Sequence, residues 1–143
     1  MDSEVFKAIL SLDSYNRGYD AGVDLPDTDH QIGSALILDD SLQLLGTSTK
    51  TAGFYASSYL WNGEKVISYR GTDNYNPFAL DSDLWNGWLA GAGFNQASQA
   101  QLAIKYYEQV AGVTSLDQLP AATVTLTGHS LGGGLAGITV TVY

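Results

Sequence analysis

The sequence contains no cysteine. This absence excludes disulfide bonds, thiolate zinc sites and a cysteine nucleophile. No apolar run approaches the roughly 18–20 residues that a membrane-spanning helix requires, so a transmembrane segment is not expected. The first fifteen residues, MDSEVFKAILSLDSY, lack a basic region followed by an apolar one, and no cleavable signal peptide is predicted. Localisation is left open between the cytoplasm and export without a cleaved leader.

Basic residues are also scarce: Lys and Arg number 6 against 15 Asp and Glu, giving a net charge of −9. Binding to DNA or RNA depends on basic side chains that neutralise phosphates, so a nucleic-acid partner is not expected. Hydrophobic residues make up 45% of the chain and charged residues 15%, which is typical of a globular protein. The length of 143 residues predicts a single domain over 1–143 with a substantial core.

The second half of the sequence alternates strand and helix patterns. Two strands are predicted over 53–61 and 65–69, and Asn62-Gly63 between them indicates an antiparallel hairpin. The β-branched run 123–127 predicts a third strand, parallel to 65–69, and the small apolar residues 131–142 predict a buried helix. This order predicts an α/β fold with a mixed sheet and flanking helices.

Two further helices are predicted from apolar spacing. Residues 3–15 form the first, with Ser3 as its N-cap, and a loop is expected over 16–33. Residues 96–110 form the second, and Gly112 is expected to end it. The predicted core-facing stripe of this second helix consists of Ala97, Ala100, Ile104, Tyr107 and Val110.

The motif with the clearest chemistry is Gly128-His129-Ser130-Leu131-Gly132, which matches G-x-S-x-G. It lies between a predicted strand and a predicted helix, the context that presents a nucleophilic serine at a sharp turn. Glycines on either side remove clashes that a Cβ would create, and the helix N-terminus favours a developing oxyanion. A strand-to-helix corner with an unreactive serine is the alternative. A phosphate-binding turn is disfavoured because its lysine is missing.

Three segments together resemble the class 3 lipase family of α/β-hydrolases. Residues 124–134 resemble the nucleophile turn of that family, and 67–72 (ISYRGT) resemble its strand ending in an Arg-Gly-Ser/Thr oxyanion loop. Residues 81–93 resemble the segment between them. The resemblance covers most of the chain from about residue 35 onward, and it implies the N-terminal half of an α/β-hydrolase domain that hydrolyses carboxylic esters, as a lipase or esterase.

The resemblance also implies roles for individual residues. Ser130 would attack the ester carbonyl, while the backbone N–H of Leu131 and that of Thr72, with its hydroxyl, would form the oxyanion hole. Arg70 is interpreted as a structural residue that holds the oxyanion loop through hydrogen bonds. His129 is interpreted as a packing or hydrogen-bonding residue. No cofactor is expected.

A serine nucleophile needs a base, which follows the serine in α/β-hydrolases together with an acid. The 13 residues after Ser130 contain no Asp, Glu or His. The favoured expectation is therefore a fragment with weak or no activity, and His30 is a less favoured surrogate base. The alternative function is a non-catalytic half-hydrolase that serves as an assembly or binding module. A second copy, or a separate C-terminal half, is expected to cover the exposed sheet edge.

The remaining candidates are weaker. Asp20, Asp24, Asp27 and Asp29 could bind calcium, but they do not fit the EF-hand spacing, and a solvated acidic loop is the favoured interpretation. A carboxylate pair could form in the segment that follows the second strand, but a solvated acidic loop is again the favoured interpretation. Aromatic residues there could line an acyl-chain site or a lid, and ordinary core packing explains them at least as well. The residues concerned are Asp81, Asp83, Trp85, Trp88 and Phe94.

Overall fold

The computed structural model describes residues 2–18, 31–71, 93–114, 118, 123–129 and 131–142. The helices in this part of the chain are α1 (Ser3–Asp13), α2 (Ser41–Leu45), α3 (Ser48–Thr51), α4 (Gly93–Ala111) and α5 (Leu131–Val142), with a 3-10 turn over Ser14–Asn16. The strands are β1 (Gln31–Ile32), β2 (Ala35–Ile37), β3 (Ala56–Trp61), β4 (Glu64–Tyr69) and β5 (Val124–Gly128).

The described strands form one mixed sheet in the order β1-β2-β3-β4-β5. The first four are antiparallel neighbours, whereas β4 and β5 run parallel, as the sequence predicts. The α/β fold class is therefore confirmed. Within the described residues β5 pairs with β4 alone, and the expected covering of its other edge by a second copy or a C-terminal half stays a prediction.

The hairpin between β3 and β4 turns at the predicted dipeptide. Asn62 and Gly63 both have positive φ, 52° and 77°, which is the backbone geometry of a type I′ turn. Trp61 pairs with Glu64 next to the turn, and this register continues to Ala56 opposite Tyr69. The turn chemistry thus sets which residues of β3 lie beside the end of β4.

The two faces of the sheet carry separate hydrophobic clusters. Phe6 and Leu10 of α1 pack against Tyr59 and Val66 on one face. On the opposite face Ile67 and Tyr69 pack against α4 and α5. Because side chains alternate along a strand, neighbouring residues of β4 serve both clusters. Helices on both faces bury β4 and so fix the position of its carboxyl end.

The first helix begins differently from the prediction. Asp2, not Ser3, is the N-cap, since its carboxylate accepts a hydrogen bond of 2.8 Å from the Glu4 N–H. Aspartate and serine cap helices about equally well, so the two adjacent residues could not be separated by propensity. The α-helix also ends at Asp13, where the chain tightens into the 3-10 turn.

The helix α4 starts at Gly93, three residues before the predicted start, and buries a different stripe. Ala103 and Tyr106 are fully buried, whereas Ile104 is only partly buried. Tyr107 and Val110 do face the core as predicted. Over the described side chains of α4 the buried stripe is therefore rotated toward Ala103 and Tyr106, and the side chain of Ala97 lies outside the described residues. Gly112, with φ of 72°, follows the helix as expected.

Three buried tyrosines predict a loss of stability at alkaline pH. Burial is the main cause that raises the phenol pKa of Tyr55, Tyr59 and Tyr106 above the usual value of 10. Above pH 10 the unfolded chain releases these protons while the folded chain keeps them, so stability falls as pH rises. We expect a decrease of about 4 kcal/mol per pH unit for the three groups together.

Urea unfolding between pH 9 and pH 12, followed by circular dichroism, measures this slope. The variant Tyr106→Phe should reduce the slope by roughly one third, because each phenol contributes equally to the linkage. A stability that stays constant from pH 10 to pH 12 would contradict the prediction.

Candidate active site at the ends of β4 and β5

The carboxyl ends of the two parallel strands lie side by side. Tyr69, the last residue of β4, pairs directly with Gly128, the last residue of β5. Ligands of open α/β sheets bind beyond the carboxyl ends of parallel strands. The chain segments that leave these two ends are Arg70-Gly71 and His129, so they are the described residues that follow the strands at the candidate site.

Two of the predicted site residues, Ser130 and Thr72, lie outside the described residues. Their chain neighbours are described: Gly71 precedes Thr72, and His129 and Leu131 flank Ser130. Leu131, the third predicted residue, is the first residue of α5. The structure thus gives the backbone on both sides of Ser130 and on the N-terminal side of Thr72.

A tight turn leads from β5 into α5. The N–H of Gly132 donates a hydrogen bond of 3.0 Å to the carbonyl of His129, which joins the first turn of α5 to the residue after β5. The helix that begins there runs for 12 residues. Its N-terminus carries a partial positive charge and N–H groups without intrahelical acceptors, which together favour an anion. This is the strand–turn–helix arrangement that the motif requires.

The two glycines of the motif are required by close backbone contacts. A Cβ on Gly132 would overlap the carbonyl oxygen of Tyr69 and would lie 3.2 Å from the carbonyl carbon of Arg70. A Cβ on Gly128 would overlap the Gly132 carbonyl group and lie 2.7 Å from the N of Gly133. The first turn of α5 therefore packs directly on the backbone at the end of β4.

Arg70 is buried and holds the segment after β4 to the sheet and to the chain that follows α1. Its Nη1 donates to the carbonyl of Arg17 at 2.9 Å and lies 3.5 Å from that of Ser14. Its guanidinium stacks on the ring of Tyr55 with 4.5 Å to the centroid. The Arg70 N–H also donates to the Tyr55 carbonyl at 3.0 Å. These contacts fit the structural role that the sequence suggested.

A buried ion pair fixes the end of α1 beneath the same segment. Asp13 is fully buried and accepts hydrogen bonds from the guanidinium of Arg17. It also accepts one from the hydroxyl of Tyr59 at 2.8 Å. A buried carboxylate needs such partners, because removing it from water is costly. The pair thus ties the chain after α1 to strand β3.

Tyr15 is a residue of this site that no sequence pattern indicated. The hydroxyl of Tyr15 accepts a hydrogen bond of 3.0 Å from the N–H of Gly71 and lies 3.4 Å from both the carbonyl oxygen and Nδ1 of His129. Tyr15 lies in the 3-10 turn after α1, far from both partners in sequence. The contact arises from tertiary placement, so no local pattern could have predicted it.

Several predicted candidates fall outside the described part of the chain. The histidine His30 and the acidic loop Asp20, Asp24, Asp27 and Asp29 lie there, and calcium binding stays a prediction. The same holds for Asp81, Asp83, Trp85 and Trp88, and for the side chain of Phe94. Among the residues that are described, no group of three or more His, Asp or Glu is placed to hold a metal ion. No described helix has the length and hydropathy needed to cross a bilayer.

Comparison with known protein families identifies the chain. The family model for the Tle-like phospholipase domain, described as phospholipase-like, matches residues 7–143. This chain belongs to that family. The comparison with curated proteins and the comparison with solved structures each found no match. The Tle-like phospholipase domain is a lipase-type hydrolase family, so the predicted class of hydrolase is confirmed at this level. Assignment to the class 3 lipases stays a prediction.

Proposed function

We propose that this Tle-like phospholipase domain hydrolyses carboxylic esters of lipids with Ser130 as the nucleophile. The N–H groups of Leu131 and Thr72 serve as the two oxyanion donors. The observation that carries the proposal is the contact between the first turn of α5 and the backbone of Tyr69 and Arg70. It supports the proposal because Ser130 directly precedes the first turn of α5 in the chain, whereas Thr72 follows Arg70 and Gly71, so each residue is next to one side of this contact.

The proposed reaction has two steps. The Ser130 hydroxyl attacks the ester carbonyl carbon, a base removes the hydroxyl proton, and two N–H groups stabilise the negative carbonyl oxygen. The intermediate collapses, the alcohol leaves with the proton, and an acyl-serine remains. Water then attacks the acyl-serine with the help of the same base and releases the fatty acid. The N-terminus of α5 adds favourable electrostatic energy at the oxyanion.

The proposed reaction also needs a base that removes the proton from the Ser130 hydroxyl. His129 directs Nδ1 toward the hydroxyl of Tyr15, at 3.4 Å, so we do not assign the role to this histidine. Residues 131–143 contain no Asp, Glu or His. A base that follows the serine, in the order found in α/β-hydrolases, is therefore not among residues 131–143.

Labelling with a fluorophosphonate probe tests the nucleophile directly. An activated serine attacks the probe phosphorus and expels fluoride, which leaves a stable adduct. We expect the protein expressed from its complete gene to form one adduct, located by peptide mass spectrometry on Ser130. An adduct on another serine would contradict the assignment.

The same probe distinguishes the catalytic proposal from the alternative of a binding module. No adduct in the folded complete protein, together with no ester hydrolysis, would favour a non-catalytic module. A second sample containing residues 1–143 alone locates the base. Labelling in the complete protein but not in this sample would place the base outside the 143 residues.

A further inference from the structure

The hydroxyl of Tyr15 lies between the two chain segments that precede the proposed catalytic residues. It accepts the N–H of Gly71 at 3.0 Å, and Gly71 is bonded to Thr72. It lies 3.4 Å from the carbonyl oxygen and from Nδ1 of His129, the residue bonded to Ser130. The two rings meet edge to face, with 6.0 Å between centroids.

The chemistry of a phenol limits what this hydroxyl can do. It has one hydrogen to donate, and its oxygen accepts hydrogen bonds through its lone pairs. Since it accepts from Gly71, its own hydrogen is available to His129, either to the carbonyl or to Nδ1. One hydroxyl group therefore connects the segment after β4 to the segment after β5.

The chain around Tyr15 is itself held in place. The preceding residue, Ser14, is buried, and its hydroxyl donates to the Ser11 carbonyl at 2.9 Å. The carbonyl of Arg17, two residues later, accepts from the guanidinium of Arg70 at 2.9 Å. Tyr15 is thus fixed from both sides, which allows its hydroxyl to impose a position on its partners.

We propose that Tyr15 is a positioning residue for the oxyanion hole. Its hydroxyl sets the Gly71 and His129 backbones relative to each other, so that the N–H groups of Thr72 and Leu131 point to a common oxygen. This inference rests on the proposed function. It adds a residue from the N-terminal part of the chain to a site built at the ends of β4 and β5.

The variant Tyr15→Phe tests the inference because it removes the hydroxyl and keeps the ring. We expect kcat for p-nitrophenyl butyrate to fall about tenfold to hundredfold, since small displacements of catalytic groups have effects of this size. KM should change little, because the oxyanion donors act in the transition state. The labelling rate with fluorophosphonate should fall with kcat.

Two control variants separate positioning from general damage. Tyr106→Phe deletes a tyrosine hydroxyl that lies in the core and donates to the Asp39 carbonyl at 2.7 Å, and its kcat should match that of the unmodified protein. Tyr15→Leu removes ring and hydroxyl together and should be no more active than Tyr15→Phe. A kcat loss in Tyr106→Phe equal to that in Tyr15→Phe would overturn the inference.

The remaining outcomes are also decisive. If Ser130→Ala is inactive while Tyr15→Phe keeps full kcat, the inference fails and the proposed function stands. If Ser130→Ala keeps full activity, both fail. A further measurement uses the unmodified protein, so it does not depend on the folding of any variant. The Gly71 amide should exchange its hydrogen slowly with solvent, because it donates to the Tyr15 hydroxyl. Rapid exchange at Gly71 in the folded protein would overturn the inference.

Discussion

Replacing Ser130 by alanine in the protein expressed from its complete gene is expected to lower kcat/KM for carboxylic esters by about 10⁶-fold, the size of the effect when a serine hydrolase loses its nucleophile. Alanine has no atom that can form the acyl intermediate, so the covalent route is lost. The remaining rate would come from oxyanion donors acting on attack by water. Hydrolysis of p-nitrophenyl butyrate and of phosphatidylcholine in mixed micelles measures the effect.

The matched control is Ser48→Ala. Ser48 is an exposed residue of α3, so this variant makes the same chemical change away from the ends of β4 and β5. Its kcat/KM should equal that of the unmodified protein. A Ser130→Ala protein that retains more than about one tenth of the activity would contradict a covalent serine mechanism.

The second large effect is expected for Gly132→Ala. The added methyl group would overlap the carbonyl oxygen of Tyr69 in the adjacent strand. Backbone atoms cannot rotate away as a side chain can, so α5 must shift from β4. We expect a loss of about 3 kcal/mol or more in the free energy of unfolding, at or beyond the upper range for overpacking. Urea unfolding measures the change.

The variant Gly134→Ala places the same methyl group two residues further along α5. No atom lies within 4 Å of that methyl position, and the residue is exposed. This variant should gain up to about 1 kcal/mol, because alanine favours helix over glycine. Equal stabilities of the two variants would show that α5 does not contact the Tyr69 backbone as described.

Much of the site's framework could be predicted because its signals are local. Asn62-Gly63 set the hairpin, and the β-branched run before the G-x-S-x-G motif indicated the parallel strand. The glycines of that motif indicated close backbone contacts, which the structure shows at Gly128 and Gly132. In each case the local residue type determines the geometry.

The tertiary contacts of the site could not be predicted in this way. The hydroxyl of Tyr15 meets residues 56 and 114 positions away, and the guanidinium of Arg70 reaches carbonyls more than 50 positions away. The carbonyl groups that Arg70 contacts have no sequence signature, because every residue carries one. Only the fold determines which of them lie close to the end of β4.

Some short elements of the fold have no counterpart in the sequence-based prediction, although one of them carries a capping pattern in its sequence. Asp40 and Gln43 form a capping box at the start of α2, a pattern that could have revealed this helix. The hairpin of β1 and β2 has two and three residues in its strands, too few for a periodic pattern. Packing of Ile32 and Ala35 against Phe6 stabilises it instead.

The pairing of β4 with β5 has a consequence for the order in which this domain folds. Residues 70–123 separate the two strands along the chain, while β3 and β4 are joined by a two-residue turn. Short-range pairing precedes long-range pairing, because closing a longer loop costs more entropy. A growing or partly folded chain would therefore build the antiparallel hairpin first and remain chemically inert. The proposed site would form only when β5 pairs with β4.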